Sequence, residues 1–250
     1  MEAKIEIKYG FLNRDIIKYI AMAAMFLNHI SILFMKSGTF ISEVFLDIGY
    51  FTAITMCYFL AEGFYHTRSK KRYLYRLMLF AMISQIPYCL AFSYDGILEF
   101  CGFNMIFTLF ICFCILLAYE RLSDRALRRA VILALTLLSL ISDWSLLAPI
   151  FTILFVWAKG SEDKTKIAFA VSMMLFGILN FAEKTVNFPV GISILYAFIS
   201  MIGIALAGIT IIYFYNGKRM EKGRRFSKWF FYWFYPVHLM MLGIIRIMML

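Results

Sequence analysis

Apolar runs of about 20 residues, the length that crosses a bilayer as a helix, recur along almost the whole 250-residue chain. No other feature limits the fold as strongly. Backbone N–H and C=O groups have no water to pair with in hydrocarbon, so each such run must satisfy its own hydrogen bonds, and a helix does so within one segment. The runs cover Ile16–Met35, Val44–Tyr65, Leu74–Ser93, Asn104–Tyr119, Ala130–Ile141, Ser145–Ala158, Ile167–Phe181, Val190–Tyr215 and Trp229–Met249. The fifth and sixth are short, and only Ser142-Asp143-Trp144-Ser145 parts them. With 63% hydrophobic and 16% charged residues, the composition lies outside the soluble range. The expectation is an all-α, polytopic transmembrane bundle of about nine spans, one domain over residues 1–250.

Charge orders these runs. Of the 25 lysines and arginines, 22 fall before or at the start of the first run or around the connections between the second and third, fourth and fifth, sixth and seventh, and eighth and ninth, with Lys18 and Arg76 just inside the first and third runs. Lys36, Lys184 and Arg246 are the exceptions. The positive-inside rule then predicts a cytoplasmic N-terminus. It also accounts for most of the net charge of +10 without a nucleic-acid partner. The first run has no small-residue cleavage pattern behind it and reads as a retained anchor. The five cysteines point to no metal: Cys112-x-Cys114 lacks the spacing and companions of a zinc site.

Polar side chains inside the runs are costly in lipid and mark interior faces or sites. In the first run Ala21, Ala24, Asn28 and Ser31 form one small, polar helical face with His29 at its edge. In the second, Asp47, Phe51, Thr55, Tyr58, Glu62 and His66 follow at spacings of three and four, a stripe that predicts a lined cavity. It leads to a basic, aromatic segment containing His66, Arg68, Arg72 and Arg76. The ninth run places Lys228, Tyr232, Tyr235 and His238 on one face, with Pro236 among them. Each has a plainer reading as well: interhelical packing for Asn28, orientation signal and headgroup contact for the basic segment, interface girdle for the ninth-run aromatics.

As a set, "IKYIAMAAMFLNHI", "AEGFYHTRSKKRYLYRLMLFAMISQIPY", "FNMIFTL" and "FFYWFYPVHL" resemble the TraX family in order and spacing, over most of the chain. The resemblance implies a multi-pass protein of a bacterial-type inner membrane that takes acetyl-CoA as donor and a peptide or pilin amino terminus as acceptor. The family pattern carries an aspartate where this chain has Asn28, and a Gly-Arg with an aromatic-Pro pair where it reads Gly49 to Thr55.

Taken with that resemblance, the layout predicts catalytic roles for His29, Asn28 and Glu62. His66, Arg68, Arg72, Arg76, Tyr235 and His238 are expected to bind the donor, whose pantetheine arm runs past Glu62, Tyr58, Tyr235 and His238. His29 is the expected general base, with Asn28 orienting it or packing the helix. The acceptor is expected from the outer face, past Asn28, Asp47, Asn104 and Asp143. Asn104, His238 and Tyr235 are equal candidates for an oxyanion donor. Two other readings use the same residues: an O-acetyltransferase of an envelope glycan, and a proton-coupled transporter.

Overall fold

The structure, a computed structural model, describes residues 10–92 and 99–249. Lys4 and Lys8 of the basic tally, and Ser93 at the end of the third expected span, lie outside them. Among the described residues there are nine α-helices and no strand. They are α1 Arg14–Phe34, α2 Phe40–His66, α3 Lys70–Phe92, α4 Met105–Arg121, α5 Arg125–Leu138, α6 Leu147–Ala158, α7 Glu162–Lys184, α8 Val190–Ile209 and α9 Arg224–Met249. A 3-10 turn, Ser139–Ile141, follows α5, and a π turn, Thr210–Phe214, extends α8. Side-chain oxygens of Asn13, Asn104, Asp124 and Ser161 cap the free amides that begin α1, α4, α5 and α7.

Six helices are long and apolar enough to cross a membrane: α1, α2, α3, α7, α8 with its π turn, and α9. The other three, α4, α5 and α6, have 17, 14 and 12 residues. At 1.5 Å per residue α6 rises roughly 18 Å against an apolar layer of about 30 Å. The shortfall has a definite place. At the basic end α6 finishes level with α2, Lys159 lying 3.2 Å from the Tyr65 ring centre. Lys70 and Glu120 form an ion pair there that joins the start of α3 to the end of α4. The opposite ends of α4, α5 and α6 therefore stop short. Trp144, in the connection between α5 and α6, meets Tyr50 of α2 at 6.0 Å between ring centres. Tyr50 stands about 15 Å along α2 from Phe40, so a recess opens over that connection.

A ladder of polar contacts joins α1 and α2 along their length. Ser31 Oγ lies 2.7 Å from the Ser42 carbonyl, Asn28 Nδ2 donates to the Leu46 carbonyl at 2.9 Å, and Thr52 Oγ1 donates to the Ala21 carbonyl at 2.6 Å. Arg14 Nη2 completes it with the Phe59 carbonyl at 2.9 Å. The small, polar face of α1 thus turns inward as its spacing predicts. Gly49 permits the close approach: a Cβ there would lie 2.2 Å from Asn28 Cβ.

Candidate functional site

His29, one turn and a half from the end of α1, is buried, and its Nδ1 lies 2.8 Å from Nε2 of His238 on α9. The other ring nitrogen of His238, Nδ1, lies 2.7 Å from the Phe234 carbonyl oxygen. A carbonyl only accepts, so His238 Nδ1 carries the proton. In a neutral pair His238 Nε2 is then the acceptor and His29 Nδ1 the donor, which leaves the lone pair of His29 on Nε2. This assignment of tautomers follows from the network. The two rings are within 6° of parallel, with Phe92 edge-on to His29 and Phe234 stacked on His238. Helix α9 runs continuously through Pro236. The His238 side chain turns back on the Phe234 carbonyl one turn earlier in that intact helix.

His29 lines a cavity of about 580 Å³ walled by α1, α2, α3, α4, α6, α7 and α9. Asn28, Tyr50, Tyr235 and Asp143 line it too, and it reaches the surface beside exposed Glu183. Met22, Met56 and Phe231 lie toward its other end. Lys18 Nζ sits against the Phe231 and Phe59 rings at 5.1 and 5.9 Å, below that floor. The Met105 amide donates to the Tyr235 hydroxyl at 3.3 Å, leaving the hydroxyl proton available to the cavity. Asn104 has no such freedom. Its Oδ1 accepts from the Ile106 and Phe107 amides, and its Nδ2 donates to the Ala81 carbonyl at 2.8 Å and Gln85 Oε1 at 2.9 Å.

Asp143 lies in the short connection between α5 and α6, whose backbone is unusual. Trp144 and Leu146 hold φ at 54° and 59°, conformations that cost about 1–3 kcal/mol each outside glycine. The Asp143 amide and carbonyl are pinned, the first donating to Phe103 O at 2.8 Å and the second accepting from Thr108 Oγ1 at 2.5 Å. Trp144 stacks on Phe176 of α7. The half-buried carboxyl accepts from the Trp144 amide, and burial lifts it to about 6, above the usual aspartate range.

Other expected site residues are distributed differently. Glu62 lies at the basic end, 3.5 Å from Arg14 Nη1 through one oxygen and accepting from Tyr215 OH at 2.8 Å through the other. Together with Tyr58, His66 and Lys159 it lines a smaller cavity of about 190 Å³. That cavity shares no lining residue with the larger one, so the expected route past Glu62, Tyr58, Tyr235 and His238 is not continuous. The α2 stripe divides likewise. Tyr58, Glu62 and His66 line the small cavity, while the large one is walled from α2 by Leu46, Gly49, Tyr50, Thr52, Ala53 and Met56. Asp47 and Thr55 are buried outside both. Arg68 and Arg72 are exposed. Arg76, over the Tyr73 ring at 5.6 Å and hydrogen-bonded to Tyr232, belongs to a separate group between α3 and α9. Tyr235 and His238 stand with His29, away from the basic end. Asn28 spends its amide on α2 and sits in the cavity wall.

Helices of spanning length around a histidine-bearing cavity define a multi-pass membrane protein with a site recessed among its helices. The chain belongs to the TraX family: residues 13–246 match the TraX protein model. It is also 33% identical over 234 residues, 90% of this chain and 92% of the other, to the probable fimbrial assembly protein FimC, serogroup H1, of Dichelobacter nodosus. No solved structure matches it.

Proposed function

We propose that this protein is an inner-membrane acetyltransferase that moves an acetyl group from cytoplasmic acetyl-CoA to an amino group on a peptide or pilin acceptor. The observation that carries this reading is the chain Phe234 O, His238, His29, which leaves an imidazole lone pair lining a cavity large enough for two reacting groups. A neutral imidazole with a free ring nitrogen can take a proton from a nucleophile. The acceptor nitrogen attacks the thioester carbonyl, His29 Nε2 takes the proton that nitrogen sheds, and the tetrahedral oxyanion is met by the Tyr235 hydroxyl. The C–S bond then breaks, and the thiolate leaves as thiol with the proton from the imidazolium. His238 holds the His29 ring, a positioning role in place of the donor contact expected of it.

Family membership and the fimbrial-assembly relative support the choice of acceptor. The N-terminus and the basic loops are assigned to the cytoplasm on charge, where phosphates of coenzyme A meet His66, Arg68, Arg72, Arg76 and Lys228. The pantetheine arm then enters between α1 and α9, past Lys18 and Phe231. No metal takes part in this scheme. Purified protein in liposomes, given labelled acetyl-CoA with an amino-terminal peptide and a glycan as competing acceptors, tests the reading. Label on the peptide amine is the expected result. Label on glycan hydroxyls makes it an O-acetyltransferase, and the absence of both transfer and donor binding removes the enzyme reading.

A further inference from the structure

We propose that Asp143 is the acceptor anchor, a carboxylate that holds the substrate's amino group as an ammonium at the entrance of the His29 cavity and selects amines over hydroxyls. The inference rests on the acetyltransferase reading for its reaction, but the binding event it describes can be measured without turnover. Asp143 lines the cavity. Among the described residues no lysine or arginine reaches it within ion-pair distance. Lys184, the cation at the same mouth, is already 3.6 Å from Glu43. A half-buried carboxylate with one amide donor and no counter-ion is costly, and an incoming ammonium supplies what it lacks.

The position fits the chemistry. Asp143 acts electrostatically on Tyr235, the neighbour of His29 in the cavity wall. A cation held there is on the path from the recess to the base; it gives up one proton to water at the cavity mouth to become the neutral amine that attacks, and His29 takes the second as the C–N bond forms. The truncated α4, α5 and α6 set Trp144, the residue after Asp143, beside Tyr50, which stands about 15 Å along α2 from Phe40. A hydroxyl acceptor gains a hydrogen bond to the carboxylate but brings no charge of its own, so an ammonium gains the ion pair in addition and the carboxylate discriminates by charge.

The test uses the full chain in detergent and two probes of one shape, alanyl-glycyl-glycine amide and lactyl-glycyl-glycine amide, which differ by amino against hydroxyl at one atom. Binding is read by thermal shift and, where transfer occurs, by acceptor KM. The wild type is expected to bind the amine at least tenfold more tightly. Asp143→Asn should erase that preference by weakening the amine tenfold or more, with the hydroxyl probe changed less than threefold and acetyl-CoA KM unchanged. Asp143→Glu should retain most of the preference, and Asp143→Ser replaces the Asn variant if that fails to fold. A wild type without amine preference, or equal losses for both probes, overturns the proposal. Absence of transfer with an Asp143-dependent amine preference overturns the enzyme reading and leaves the anchor standing.

Discussion

His29 keeps an open Nε2 because its other nitrogen is committed to His238, and His238 is committed to a backbone carbonyl. The role is one that a carboxylate beside an imidazole often fills, and here a second histidine fills it from a helix more than 200 positions away. His238→Phe is therefore expected to leave acetyl-CoA KM unchanged while kcat falls about 10- to 100-fold, the cost of a base held in the wrong orientation. Equal loss of kcat and of folded protein would mark His238 as packing alone. Asn28 gives the opposite lesson to the one the family pattern implies. Its Nδ2 donates to the Leu46 carbonyl at 2.9 Å, so Asn28→Asp sets a carboxylate oxygen against a carbonyl oxygen. We expect about 1–3 kcal/mol of lost stability and lower activity, read by thermal unfolding and transfer rate together. Raised activity at unchanged stability would restore the aspartate as the residue that supports His29.

At the scale of helices, hydropathy and periodicity locate the elements well: nine apolar runs correspond to nine helices among the described residues. They do not separate spans from short helices, because α6 is as apolar as a spanning segment and differs only in length, while α5 begins with Arg125, Arg128 and Arg129 and is apolar on one side alone. The inward turn of Ala21, Ala24 and Ser31 was legible from their three- and four-residue spacing. The choice of cavity face on α2 was not, since Thr55 and Thr52 look alike in sequence, and which one meets the cavity depends on neighbours from α1 and α8. The partnership of His29 with His238 was equally hidden, being a contact between distant segments. Gly49 tests the α1–α2 seam. Gly49→Ala puts a methyl 2.2 Å from Asn28 Cβ, and helices that separate to admit it lose the Asn28–Leu46 bond. The expected cost is about 1–3 kcal/mol, and an unchanged unfolding temperature would contradict the seam as described.

Across the whole molecule, charge and cavity lie at opposite ends. Two of the three cations outside the basic end are tied down, Lys184 to Glu43 and Arg246 to the Ala91 carbonyl at 2.7 Å. The basic end keeps exposed guanidinium groups for an anionic ligand. Arg72→Gln with Arg76→Gln should weaken acetyl-CoA binding about tenfold or more at low salt and less at high salt, because guanidinium–phosphate contacts are charge-assisted and screened by ions. Lysine at both positions should rescue part of the loss. Unchanged donor affinity would leave the segment as an orientation signal alone.

The central claim is that a neutral His29 removes the acceptor's proton. The most direct measurement is acetyl transfer from labelled acetyl-CoA by His29→Ala protein that is shown to be folded and to bind the donor. The account predicts a rate about a hundred- to ten-thousandfold below wild type, with donor affinity within a few-fold of normal. Transfer by that folded variant at the wild-type rate would contradict it.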